Sequence, residues 1–131
     1  HENLPHVPPF VKTNISESSR GVLRGIHVSP AIWKLFSCVY GWVQIVAVDC
    51  REDSATLNRW LSWDLDWQNR LSILMPPGVG AAHLVRSQPA VVEYHWSTDY
   101  DGDAQKTFKY DDPRFGIQWN LPILSQRDRN A

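Results

Sequence analysis

An all-β fold, barrel or sandwich, is predicted for this chain of 131 residues from three observations. Short runs rich in β-branched and aromatic residues recur along it, Gly, Pro, Asp and Asn separate them, and no window carries a sustained helical stripe. The runs cover 22–27, 33–39, 42–48, 57–63, 71–75, 82–85 and 90–96.

The first run alternates: Val22, Arg24 and Ile26 point to one face, Leu23, Gly25 and His27 to the other. A bulge or bend at Gly25 would bring Arg24 and His27 to one cavity. The runs 33–39 and 42–48 are expected to form a hairpin closing near Tyr40 and Gly41. The stretch 57–61 is ambiguous between strand and helix, and Pro76-Pro77-Gly78 ends the run 71–75. The run 90–96 carries Tyr94 among β-branched and aromatic neighbours. Seven Trp residues suit the wide layers of a barrel or sandwich interior. Trp42, Trp60, Trp63 and Trp67 are read as core, and Trp33 and Trp96 as candidates for stacking at a cavity mouth.

Composition bounds the function. With 43% hydrophobic and 21% charged residues the chain suits one compact domain over 1–131, with 1–9 a Pro-rich irregular lead-in. A formal net charge of −1 supplies no field for nucleic acid or anionic membrane, so neither is expected as a partner. No apolar run is long enough to span a bilayer and no signal-peptide pattern opens the sequence, which makes the cytoplasm the expected location. Cys38 and Cys50 flank the expected hairpin out of register for a disulfide, and both read as reduced packing residues. The five His residues lack the paired spacing of a metal-binding barrel, so no metal is expected.

The ordered motifs say more. Gly21-Val22-Leu23-Arg24-Gly25-Ile26-His27, Lys34-Leu35, Cys38-Val39-Tyr40-Gly41, Val46-Ala47-Val48-Asp49-Cys50-Arg51, Asp53-Ser54-Ala55-Thr56, Pro76-Pro77-Gly78 and Leu124-Ser125-Gln126-Arg127-Asp128 follow one another along the chain. In this order they resemble the dTDP-4-dehydrorhamnose 3,5-epimerase family over roughly residues 10–128. The resemblance implies a cupin-type jelly roll, or double-stranded β-helix, and a cofactor-independent isomerase acting on a nucleotide-diphospho-4-keto-6-deoxy sugar at carbon 3, or at carbons 3 and 5. It also implies a homodimer, and a strand-forming segment ahead of the Gly-Val-Leu-Arg motif that is expected to be missing here. The short connection from His27 to Lys34, and Gly78-Val79-Gly80-Ala81-Ala82-His83 where rhamnose-pathway enzymes have Ala-His-Gly-Phe, look closest to a branch acting on GDP-linked 4-keto-6-deoxy-heptoses.

A carbonyl acidifies the C–H bonds beside it, so inversion there needs a base, a stabiliser for the enolate oxygen and an acid on the opposite face. By resemblance His27 is the base, and free imidazole titrates near neutrality. Asp128 orients it, Lys34 stands beside the enolate oxygen, and Tyr94 returns a proton from the far side. Arg24 grips the diphosphate, while Asn14 and Tyr100 lie toward the nucleotide. Lys12 stands where the family has Gln, which places a charge near the nucleotide. Ala81 and His83 share a strand face, and His83 is read as a substrate contact.

Each assignment has a plainer counterpart. Arg24 and His27 also suit salt-bridge or wall roles, and Lys34 an edge strand. Tyr94 also suits a barrel wall, His83 a core position bonded to backbone, and Asp128 an exposed tail. A non-catalytic nucleotide-sugar-binding cupin is the alternative for the whole chain.

Overall fold

The structure is a computed structural model and describes residues 7–98, 105–120 and 123–126. Among them are ten strands and no helix: β1 Lys12–Ser18, β2 Val22–Val28, β3 Lys34–Tyr40, β4 Trp42–Asp49, β5 Trp60–Asp66, β6 Ser72–Met75, β7 Val79–Val85, β8 Ala90–Trp96, β9 Lys106–Thr107 and β10 Ser125–Gln126. They form a four-stranded sheet in the order β1-β8-β3-β6 and a six-stranded sheet in the order β10-β2-β7-β4-β5, with β9 also on β2. This is the all-β jelly roll that the sequence predicts.

The central core lies between the sheets. Phe36, Cys38, Met75 and Val92 from the smaller sheet meet Val22, Val43, Ile45, Leu65 and Val85 from the larger one. A second core lies on the other face of the larger sheet, where Ile26, Val46, Val48 and Ala82 pack with Phe115, bordered by Phe108, Ile117 and Trp119. The run 42–48 is nearly continuous in apolar residues because both faces of β4 are covered. Its one long polar residue, Gln44, is 1% exposed and works as a staple. Its amide nitrogen donates to Ser62 Oγ and the Gln118 carbonyl, and its amide oxygen accepts from the Asn120 N–H. The C-terminal segment is thereby tied over the second core.

The expected hairpin at Tyr40 and Gly41 does not form. β3 pairs with β6 and β8, whereas β4 pairs with β5 and β7, so the chain steps from one sheet to the other at Gly41. Gly41 has φ +80°, and a Cβ there would run into Ser87 and Pro89, so the crossing needs glycine. Cys38 and Cys50 are both free thiols, and burial pushes the pKa of each up.

Two of the four core tryptophans are placed otherwise. Trp42 is 37% exposed at the start of β4, with the Arg86 guanidinium 3.7 Å from its ring centroid, and Trp67 is 57% exposed in the turn after β5. The cation covers what the core would have covered. Trp60 and Trp63 do pack against the two cores.

β1 was not expected, and the stretch from 57 begins as turns before β5 starts at Trp60.

Candidate active site

β2 places two of the site's side chains through an irregularity. Its register with β7 pairs Arg24 with His83 and then His27 with Ala81, a shift between Arg24 and His27. Gly25, with φ +108°, makes the shift; a Cβ there would strike the Ala81 carbonyl oxygen and come within 2.8 Å of Ala82 Cα. Arg24 and His27 therefore reach one cavity while Ile26 turns to the second core. The bulge expected at Gly25 is the structure's own device.

The smaller sheet forms the facing wall in two cross-strand rows. Lys12, Trp96, Lys34 and Met75 lie abreast, and beside them Asn14, Tyr94, Phe36 and Ile73. A cavity of about 230 Å³ between the sheets is lined by Arg24, His27, Lys34, Phe36, Ala81, His83, Tyr94, Trp96 and Gln105. It is smaller than the roughly 300–1,000 Å³ of a pocket for a drug-sized ligand, so it suits one sugar ring rather than a whole nucleotide sugar.

Each side chain is held in place. Arg24 Nε and Nη2 donate to Ser18 Oγ at 3.0 and 2.9 Å, and Ser18 is buried at the end of β1. His27 Nδ1 lies 3.1 Å from Thr107 Oγ1 and 3.3 Å from the Gln105 side-chain amide. Tyr94 stacks on Phe36 at 5.4 Å between centroids. Lys34 is only 4% exposed, and its Nζ lies 5.3 Å from the centroid of Trp96. Lys12 Nζ approaches the same ring at 4.8 Å.

The structure thus brings together five of the predicted residues, Arg24, His27, Lys34, Tyr94 and His83, and sets Lys12 one indole away. Asn14 is half-buried in register with Tyr94 but does not line the cavity. Asp128 and Tyr100 lie outside the described residues. Trp96 lines the cavity, as one of the two stacking candidates, whereas Trp33 does not. Phe36, Ser18, Gln105 and Thr107 were not singled out. Phe36 was within reach, because it lies two residues from Lys34 on one strand face.

The chemistry does not follow the larger space. A cavity of about 660 Å³ lies behind β2 and β9, where Val28 and Lys106 line it while His27, bonded to Thr107, turns to the smaller one. Two Asp-x-Arg clamps stand on its rim: Arg51 pairs with Asp49, and Arg114 with Asp112, each through Nε and Nη2. They fix loops. No imidazole or phenol lines this larger space among the described residues, whereas two imidazoles and a phenol line the smaller one.

Comparison with known proteins agrees with this geometry. The profile of a family described as dTDP-4-dehydrorhamnose 3,5-epimerase matches residues 2–131. A dTDP-4-dehydrorhamnose 3,5-epimerase of Neisseria gonorrhoeae is 38% identical over 124 residues, covering 91% of this chain and 38% of that protein. A dTDP-4-dehydro-6-deoxyglucose 3-epimerase of Streptomyces sp is 34% identical over 136 residues, 99% of this chain and 69% of that one. The crystal structure of a dTDP-6-deoxy-D-glucose-3,5-epimerase from Legionella pneumophila, in complex with dTDP-4-keto-L-rhamnose, superposes with a TM-score of 0.87 at 31% identity, covering 92% of this chain and 66% of that chain. The chain spans less than two thirds of the length of several of the curated relatives it matches. By profile, sequence and structure, the chain belongs to the dTDP-4-dehydrorhamnose 3,5-epimerase family.

Proposed function

We propose that this protein is a nucleotide-diphospho-4-keto-6-deoxy-sugar 3- or 3,5-epimerase. One observation carries the reading: His27 and Tyr94 line a single cavity from opposite sheets, with the buried Lys34 on its wall. Two cations, Arg24 and Lys34, line that cavity and no carboxylate does among the described residues, which suits an anionic ligand.

His27 Nε2 removes the proton from the carbon beside the keto group, and the C–H electron pair moves to the carbonyl oxygen. Thr107 and Gln105 accept from Nδ1–H when the Gln105 amide turns its oxygen inward, which leaves the Nε2 lone pair toward the cavity. The enolate oxygen rests beside the Lys34 ammonium, a fixed charge in a site with little water. The Tyr94 phenol then delivers a proton to the opposite face, and exchange with solvent restores phenol and neutral imidazole. The ring comes back inverted at that carbon, with atoms and charge balanced. Arg24, anchored on Ser18, binds the diphosphate as a planar fork. Asp128 is assigned as the residue orienting His27, and Asn14, Lys12 and Tyr100 as the nucleotide end.

Within the family we favour GDP-linked 4-keto-6-deoxy-heptoses, on the short His27-to-Lys34 connection and the Ala81 and His83 exchange, and we favour a homodimer. Deuterium wash-in tests the activity: GDP- and dTDP-linked 4-keto-6-deoxy sugars are incubated in heavy water and followed at carbons 3 and 5. Exchange that disappears in His27→Asn is the expected result. A folded protein that exchanges neither substrate class is a binding cupin instead.

A further inference from the structure

We propose that Trp96 is a working residue of this site with two tasks: its indole face positions the Lys34 ammonium, and its indole N–H donates to an oxygen of the bound sugar. The inference rests on the epimerase reading of the same cavity.

Two independent observations meet on this side chain. Trp96 stands between Lys12 and Lys34 in the cross-strand register, and both ammonium groups lie near its ring centroid, at 4.8 and 5.3 Å. A cation over an indole is attracted by the ring's electron-rich face, and more strongly where water is excluded. Lys34 is such a case, because it is buried and shares the cavity with the Arg24 guanidinium, a like charge. A flexible four-carbon stem does not by itself hold an ammonium at one point. The indole face supplies one restraint, and the stack of Tyr94 on Phe36 steadies the same wall.

The second observation concerns the other end of the ring. Trp96 Nε1 is buried and has no hydrogen-bond acceptor among the described residues, although Trp96 lines the cavity. Buried indole N–H groups ordinarily find a partner, since an unmet donor costs the fold the desolvation of that group. We assign this unmet donor to an oxygen of the bound sugar, because Trp96 lines the cavity. Trp119 shows the ordinary case in this same chain, since its Nε1 donates to the Tyr110 carbonyl.

Two substitutions separate the tasks. Trp96→Phe keeps a ring face and removes the N–H; Trp96→Leu removes both. Calorimetry with dTDP-glucose and GDP-mannose, which lack the keto group and do not turn over, reads binding alone. Trp96→Phe is expected to weaken binding by about fivefold, the size of one neutral hydrogen bond. Trp96→Leu is expected to lower the kcat of wash-in about tenfold below that of Trp96→Phe, because the ammonium loses its seat. Binding by Trp96→Phe equal to the parent's overturns the donor, and a kcat in Trp96→Leu equal to that in Trp96→Phe overturns the positioning task. If Trp96→Leu does not unfold cooperatively, Trp96→Met replaces it, with the same expected kcat. A parent protein that binds neither sugar nucleotide fails the epimerase reading itself, whereas a parent that binds beside an unchanged Trp96→Phe fails the N–H donor alone.

Discussion

His27 Nδ1 and Thr107 Oγ1 lie 3.1 Å apart, at the position where β9 pairs with β2. A two-residue strand therefore supplies one of the groups that hold the imidazole. Thr107→Val keeps the shape and removes the hydroxyl, so the hold on an Nδ1 proton is weakened to the Gln105 amide. The wash-in rate constant at saturation is expected to fall about tenfold with KM nearly unchanged, and Thr107→Ser to restore it. A KM effect alone would mean that Thr107 touches substrate instead.

Lys34→Met retains the length and apolar stem of the side chain and deletes its charge. If the ammonium stabilises the enolate oxygen, wash-in slows by about two to three orders of magnitude, the typical cost of one oxyanion donor. Unaltered wash-in would leave Lys34 as a wall residue.

Gly25→Ala should damage fold and site together. With φ +108° and Ala81 and Ala82 in the way, the new methyl straightens or displaces the bulge, at a cost of about 1–3 kcal/mol. Straightening would separate Arg24 from His27. Chemical denaturation and wash-in, measured on one preparation, should fall in parallel.

Asp49 governs acid stability. Its carboxylate accepts from the Arg51 N–H and guanidinium and from the hydroxyls of Ser54 and Thr56, and the Arg51 guanidinium foremost holds its pKa well below the ordinary 3.8. The folded value is the lower one, so the stabilisation is fully present above the unfolded chain's value and is lost as pH falls below it. Asp49→Asn is expected to cost about 2–3 kcal/mol in urea at pH 7 and somewhat less at pH 3, where the unfolded chain has begun to take up the proton that the folded one still refuses. An equal cost at both values would contradict the charged network.

The sequence shows why some features were legible and others were not. Period-2 alternation and turn residues located most strands, and the glycine inside 22–27 flagged the bulge. β1 was invisible because its inward residues, Lys12, Asn14, Ser16 and Ser18, are polar: Lys12 lies against the Trp96 ring and Ser18 accepts from Arg24, so no hydrophobic period marks them. Tyr40-Gly41 carries the same local signal for a hairpin as for a step between sheets, and only long-range pairing separates the two. Trp42 went to the surface because a guanidinium stacks on it, a partner in the sequence only as a distant Arg86. Gln105 follows a stretch rich in Asp and Gly with no period to read.

The step at Gly41 also bears on how the molecule reaches its native state. Because strands near in sequence are dealt to different sheets, β1 meets β8 and β2 meets β9 only after most of the chain has been gathered. Such long-range closure is slow compared with helical bundles of equal size. During synthesis Arg24 and His27 emerge early and meet Tyr94 and Trp96 only late, so the cavity gains both its walls only in a nearly finished polypeptide.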